Sequence, residues 1–349
     1  MHAPQAQLIA LDWGTSSLRA YLLGAQATVI EQRHLPWGLM QLPERGNARA
    51  FEQAFAAVCG AWLSAAPALP VIAAGMIGSA QGWREAPYLA LPVDVAQISQ
   101  QLTRIETSLG KVIHVIPGLI EHSLLPNVIR GEETQVIGAL HGRSPTVPLN
   151  LLIGLPGTHS KWVRVESRHD ACRLRPWPAW ITHFDTFMTG EVYAALRHHT
   201  ILGRTMSSET LTDDAAFARG LEVMRAGVTQ AGLLSTLFSC RTLGLTGALR
   251  PEAQADYLSG LLIGHELAGL QALSSLPPAT SPNPLPIVLA GNAALCRRYQ
   301  RALTLYGYAP AEIAEQAAAG GLWQVAQQAG LIDLRLRPTH STDKGSSHD

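Results

Sequence analysis

The sequence is short of the residues and runs that mark several large classes of protein. It holds 4 cysteines in 349 residues, at Cys59, Cys172, Cys240 and Cys296, too far apart for any CxxC pair. That spacing argues against a paired-cysteine zinc site and a disulfide framework, and fits reduced thiols in a reducing compartment. No charge of one sign dominates, since Lys+Arg and Asp+Glu are both 26. A nucleic-acid binder carries a basic excess or a basic stripe, and neither is present, so no nucleic-acid partner is expected. Long apolar runs are missing too. The most apolar helical stretch, residues 257–273 (YLSGLLIGHELAGLQAL), contains His265 and Glu266. It falls short of the ~20 apolar residues that a membrane span needs. The opening residues MHAPQAQ do not read as a secretory signal, and the apolar run after them breaks at Asp12. The expectation is a cytoplasmic protein without a membrane partner. Also absent are a Walker A loop, a GxGxxG after the first strand and a GxSxG elbow.

What is there suits a folded α/β protein. Hydrophobic residues make up 47% and charged residues 15%, enough to bury a core, and the length suggests roughly two domains. Residues 8–14 (LIALDWG) read as a buried strand entering a turn, and 17–24 and 27–35 as the next strands of an antiparallel meander. Residues 48–66 have helical periodicity, 70–79 read as a strand ending in a Gly-rich loop, and 111–118 as another strand. Residues 130–142 read as a helix whose first turn is acidic, where the helix dipole favours negative charge. The polar, Pro-containing stretch 142–150 marks a boundary between a first domain, 1–145, and a second, 146–337. Residues 151–166 then repeat the opening theme of strand, Gly-Thr turn and strand. Helices are expected over 211–239 and 251–273, a loop over 274–286, and a strand, Gly turn and helix over 286–303. A last helix over 314–330 is expected to be interrupted or entered at Gly320-Gly321, followed by a polar, disordered tail at 338–349. The repeated hairpin suggests two related halves facing each other across a cleft.

Three turns carry phosphate-binding chemistry. In the first, Asp12 ends a strand and Gly14, Thr15, Ser16 and Arg19 follow it. A Gly-containing tight turn presents backbone N–H donors, hydroxyls add to them, and a carboxylate at the strand end can hold Mg²⁺, usually through water. An ordinary β-hairpin turn would read the same way. In the second, Gly157, Thr158, Ser160 and Lys161 repeat the Gly-Thr-x-Ser core, so two turns could hold a triphosphate from opposite sides. In the third, a strand ends at Gly291-Asn292 before a helix, where a nucleotide can approach the backbone closely. The pairs Glu191 with His198 and His199, and His183 with Asp185, lack the spacing of a HExxH metal site.

These motifs resemble the two phosphate loops and the adenosine loop of the actin/hexokinase/Hsp70 superfamily. Within it, LIALDWGTSSLRAY, AAGMIGSAQGW with PYLALP, VIPGLI, IRGEETQVIGA, LPGTHSKWV, TFMTGEVYAAL and YLSGLLIGHE are similar to the 2-dehydro-3-deoxygalactonokinase family, over nearly the whole chain. The resemblance implies an α/β fold of two ribonuclease H-like (actin-like ATPase) domains around a nucleotide cleft. It implies ATP and Mg²⁺ as cofactors, a small-molecule sugar acid as partner, no set oligomeric state, and phosphorylation of 2-dehydro-3-deoxy-D-galactonate at its 6-hydroxyl. It places the catalytic base at Glu132, with Glu133 as the rival, because a carboxylate there can accept the hydroxyl proton. It places the sugar against Gly75, Met76, Gly78, Ser79 and Trp83, with Arg130 facing the substrate carboxylate or held in a structural ion pair. The second phosphate loop begins Leu155-Pro156 where the wider superfamily often has an acidic residue, which leaves Asp12 as the main carboxylate near the metal. The alternatives are a kinase of another sugar acid or polyol, and a non-catalytic nucleotide-dependent regulatory protein of the same fold.

Overall fold

Strand β1 (Leu8–Trp13) is buried along its whole length, and its pleat sends alternate side chains into different cores. Leu8 and Ala10 face one core, whereas Ile9, Leu11 and Trp13 face another. A strand covered on both faces belongs at the middle of a layered α/β fold. The computed structural model describes residues 5–42, 47–143, 149–167, 179–208, 212–226, 232–273, 275–282 and 284–332. Cys172, part of the expected domain boundary and the expected disordered tail lie outside them; Cys59, Cys240 and Cys296 are free, buried thiols.

In chain order, β1 is followed by β2 (Leu18–Leu23), β3 (Val29–Leu35), α1 (Ala48–Ala65), β4 (Val71–Gly75), β5 (Tyr88–Ala90), β6 (Val93–Asp94) and α2 (Val95–Ser99). Then come β7 (Thr103–Glu106), β8 (Val112–Val115), β9 (Gly118–Glu121), β10 (Asn127–Ile129) and α3 (Glu132–Ala139). The second half holds β11 (Asn150–Leu155), β12 (Ser160–Ser167), β13 (Ala179–Phe187), α4 (Thr189–His199), α5 (Asp214–Arg225), α6 (Gly232–Leu237), α7 (Ser239–Leu245) and α8 (Gln254–Ala272). It ends with β14 (Ile287–Ala290), α9 (Ala293–Leu305), β15 (Glu312–Ala314) and α10 (Ala317–Gln328).

Two six-stranded sheets carry the architecture, in the orders β3-β2-β1-β4-β8-β7 and β15-β14-β11-β12-β13-β6. Read outward from their first strands, five strands of each sheet follow the same order, and the sixth sits at opposite ends, β7 beside β8 and β6 beside β13. An antiparallel meander (β1-β2-β3, β11-β12-β13) is extended on the other side of its first strand by parallel strands (β4-β8, β14-β15). This is the ribonuclease H-like order, and its duplication confirms the expected fold class. Helix α1 covers the outer face of the first sheet through Phe51, Phe55 and Val58, and α8 and α9 cover the outer face of the second through Ile263, Leu267 and Leu303. Between the sheets lie α3 and α10, packed on each other, so that one continuous core runs from Leu8 and Ile72 through Val136 and Leu322 to Ile153 and Val288.

The two halves are also stitched by exchange. Helix α10 comes from the end of the chain yet packs on β1 and β4 of the first sheet, while α3 packs on β11 and β14 of the second. Strand β6, from the first half, pairs with β13 at the edge of the second sheet, with Asp94 opposite Trp180. The expected interruption at Gly320-Gly321 is not present, because α10 runs through both residues. Their use is close approach. A Cβ on Gly321 would lie 1.7 Å from the Thr134 carbonyl, and one on Gly138 would lie 1.7 Å from the Ala317 carbonyl, so α3 and α10 touch backbone to backbone. Among the described residues no helix is long and apolar enough to cross a membrane.

Candidate active site

Both repeated hairpins present their Gly-Thr turns at the same end of their sheets. In the first, Gly14 N donates to Ser17 O at 2.8 Å, while the Gly14 and Thr15 carbonyls accept from Leu39 N and Met40 N. Thr15 and Ser16 are exposed. In the second, Thr158 O accepts from Glu191 N at 2.9 Å, so the start of α4 braces the turn from behind. Thr158 is exposed, but the Ser160 hydroxyl is turned inward, 2.9 Å from Tyr299 OH. At that position the turn offers its backbone, not its side chain, to a ligand. Gly291 repeats the part played by Gly75. Gly291 follows β14 and Gly75 ends β4, both with positive φ, +134° and +93°, facing the carbonyl of Pro156 and of Trp13 respectively. Asn292 caps α9 by accepting from Leu295 N.

Asp12 sits at the end of β1, beside Ala74 of β4 and Arg19 of β2. Its carboxylate is buried, with Arg19 Nη2 3.0 Å from Oδ2, yet that oxygen accepts no aligned hydrogen bond. Burial pushes its pKa up and Arg19 opposes the shift. An incompletely satisfied, buried carboxylate beside an exposed Gly-Thr-Ser turn fits Mg²⁺, which takes one or two carboxylates and otherwise phosphate oxygens and water.

The N-terminus of α3 brings the acids in. Gly131 has φ +108°, and its Cα side abuts Gly75, where a side chain would lie 3.2 Å from the Gly75 Cα. Glycine at both positions lets β4 and α3 meet, which sets Glu132 beside the ends of β1 and β4. Glu132 accepts from Arg130 N at 2.9 Å and Glu133 accepts from Gly131 N at 2.7 Å, so neighbouring carboxyls take neighbouring amides. Their environments differ. Glu132 remains partly open, and Glu133 is wholly buried with Oε1 unpartnered. Burial raises the pKa of Glu132, with Lys161 pulling it down and Asp12 pushing it up. Burial and the adjacent Glu132 push Glu133 up to about 8, which favours its protonated form at neutral pH. Lys161, buried on β12, donates to Thr186 Oγ1 at 3.0 Å; burial lowers its pKa and Glu132 opposes that. Groups from both halves of the chain therefore act on one carboxylate.

The expected sugar loop lies beside them. The Ser79 hydroxyl closes its own turn on Met76 O at 2.8 Å, and Gly78 is buried next to Arg130. Trp83 stacks on Phe51 at 5.7 Å and stands edge-on to Trp13, forming the packing behind the loop. Arg130 lies over the Tyr88 ring at 4.1 Å and donates from Nη2 to Ala86 O at 2.8 Å. Its buried Nη1, facing Gly78, has no hydrogen-bond partner.

Sequence reasoning missed an apolar cavity of about 200 Å³ in the second half, next to Gly157 and Gly190. Its walls are Tyr193 of α4, Ser259, Leu262 and Ile263 of α8, and Arg298 and Tyr299 of α9. The signal was present as one helical face, since 259, 262, 263 and 266 recur at i, i+3, i+4 and i+7. His183 pairs with Glu121 at 2.6 Å and with Asp185 at 3.2 Å, a bridge between β9 and β13. No group of three metal-ligating side chains occurs among the described residues.

The 2-keto-3-deoxy-galactonokinase family matches residues 12–325. The chain belongs to this family of sugar-acid kinases. It is 35% identical over 303 residues to 2-dehydro-3-deoxygalactonokinase of Escherichia coli K12, covering 86% of this chain and 91% of that protein. A Rhizobium meliloti relative provisionally assigned the same activity is 33% identical over 300 residues, covering 85% and 89%. A crystal structure from Sinorhizobium meliloti, also provisionally assigned that activity, superposes with a TM-score of 0.74 at 32% identity, covering 92% of this chain and 98% of that one.

Proposed function

We propose that this kinase transfers the γ-phosphoryl group of ATP to the 6-hydroxyl of 2-dehydro-3-deoxy-D-galactonate in the cytoplasm, as a step of galactonate breakdown. The observation that carries the reading is that Asp12, next to the first Gly-Thr turn, and Lys161, next to the second, both act on the partly open carboxylate of Glu132. The 6-oxygen attacks the γ-phosphorus in line, the bond to the bridging oxygen of ADP breaks, and Glu132 takes the hydroxyl proton. Glu133 is sealed from the cleft, and burial favours its neutral form, so it does not compete for that role. Gly14, Thr15, Gly157 and Thr158 line the phosphates with backbone donors and hydroxyls, and the buried Lys161 ammonium offsets charge on the transferring group. Bound Mg²⁺ would neutralise phosphate charge and would be held by Asp12. The nucleoside end occupies the apolar cavity between α4, α8 and α9, beside Gly291 and Asn292. The sugar acid lies against the 75–79 loop at the partly open Met76 and Ser79, with the Arg130 guanidinium supplying positive charge from behind Gly78.

The test is ADP release, coupled to a spectroscopic readout, across a panel of sugar acids and polyols. Release above the no-acceptor background with 2-dehydro-3-deoxygalactonate, and a monophosphate by mass spectrometry, supports the proposal. Background release with that acid alongside turnover of another sugar acid overturns the substrate.

A further inference from the structure

Glu266 closes the apolar motif YLSGLLIGHE, yet it is turned away from solvent and takes no part in the chemistry above. A buried carboxyl is costly unless its oxygens are satisfied, and these are. Oε1 accepts from Trp162 Nε1 at 2.6 Å. Oε2 accepts from Tyr299 OH at 2.7 Å and from Thr189 Oγ1. Tyr299 OH in turn lies 2.9 Å from Ser160 Oγ. These side chains come from three elements: Ser160 and Trp162 from the start of β12 at the second phosphate turn, Thr189 from the start of α4 and Tyr299 from α9. Thr189 and Tyr299 are also walls of the apolar cavity.

We infer that Glu266 is a positioning residue for the nucleotide: one buried carboxyl sets the second phosphate turn and the cavity walls in register with each other. The inference rests on the cavity being the nucleoside site. Its logic is that of a preorganised network, in which each hydroxyl has one direction to point because a carboxyl accepting at both oxygens lies at the centre. With both Glu266 oxygens accepting, Tyr299 donates inward and accepts from Ser160. Glutamine keeps the size but places an NH₂ donor against the hydroxyls, which reverses that chain and releases the turn.

The experiment measures kcat, both Michaelis constants and melting temperature for the wild type, Glu266→Gln, Trp162→Phe and Leu262→Trp. Glu266→Gln is expected to raise the nucleotide KM about ten-fold while the sugar-acid KM stays within about two-fold. Trp162→Phe removes one donor from outside the cavity and is expected to shift the same constant several-fold. Leu262→Trp fills the cavity and separates the two readings. If it leaves the nucleotide KM unchanged, the cavity is not the nucleoside site and the reading beneath the inference fails. If it raises the nucleotide KM and Glu266→Gln does not, or if Glu266→Gln raises both constants together, the positioning role is overturned. Should Glu266→Gln fail to fold, an unchanged nucleotide KM in Trp162→Phe overturns it instead.

Discussion

At the scale of single residues, the two neighbouring glutamates make the sharpest contrast. Glu132→Gln removes the proton acceptor and is expected to lower kcat by about 10²–10⁴-fold with little change in nucleotide binding. Glu133→Gln replaces a carboxyl whose neutral form burial favours, so turnover is expected within about ten-fold of wild type; steady-state kinetics of both variants at pH 7 check this. Equal losses would mean that Glu133 shares the proton. Glu133 also predicts a stability effect. Its carboxyl pKa rises from the ordinary 4.5 to about 8 on folding, so the folded state binds more protons in between. Stability from this group is complete below about 4.5 and is lost as pH rises through about 8. Denaturant titrations at a series of pH values should show Glu133→Gln gaining on the wild type across that window. The sequence made both acids visible, through Arg130-Gly131-Glu132-Glu133 at a helix start, but not their difference. That depends on Gly75 and Gly131 meeting, a contact between segments more than 50 residues apart that no local pattern encodes.

At the scale of elements, the contact of α3 and α10 decides where Glu132 stands. Gly321→Ala would thrust a methyl into the Thr134 carbonyl, and overpacking of this kind costs about 1–3 kcal/mol or more. Because α3 carries Glu132, kcat is expected to fall along with the denaturation midpoint. Gly60→Ala is the matched control. Gly60 lies inside α1 with nothing within 4 Å of an added Cβ, so helix propensity alone predicts a gain of about 1 kcal/mol and unchanged turnover. Strands and hairpins were legible from the sequence because buried runs such as LIALDW and NLLIGL end in Gly-Thr turns. The short strands β5, β6, β9 and β10 were not, since 2 to 4 residues carry no usable alternation. The glycine pair in α10 was misread as a break for a physical reason. Glycine serves flexible turns and tight helix crossings alike, and only the partner helix tells them apart.

At the scale of the whole molecule, the halves are held by more than their shared core. His183 on β13 bridges to Glu121 on β9, and its two carboxylate partners raise its pKa to about 9. A group raised on folding stabilises fully below its ordinary 6.5 and ceases to as pH passes about 9. The melting temperature of His183→Asn should therefore trail the wild type at pH 7 and approach it near pH 9.5. A constant gap would show that the ring matters for packing and not for charge. The repeated hairpin made the duplication legible from the sequence; the exchange of helices between the halves left no trace there, because α10 is buried on nearly every side and its Ala- and Gly-rich sequence does not say which sheet it joins.

That exchange has a consequence for how the protein is made. A ribosome issues β1 and β4 long before α10, and Leu8, Ala10, Ile72 and Ala74 are covered in part by Leu322, Val325 and Ala326. A nascent chain that has emerged only to residue 300 has completed neither lobe. Its earliest strands must stay unpaired with their final neighbour through nearly the whole of translation, and the order of synthesis cannot be the order of folding. Arrested chains ending at residue 300 should bind trigger-type chaperones and yield to protease across β1 and β4, whereas chains released past residue 330 should resist.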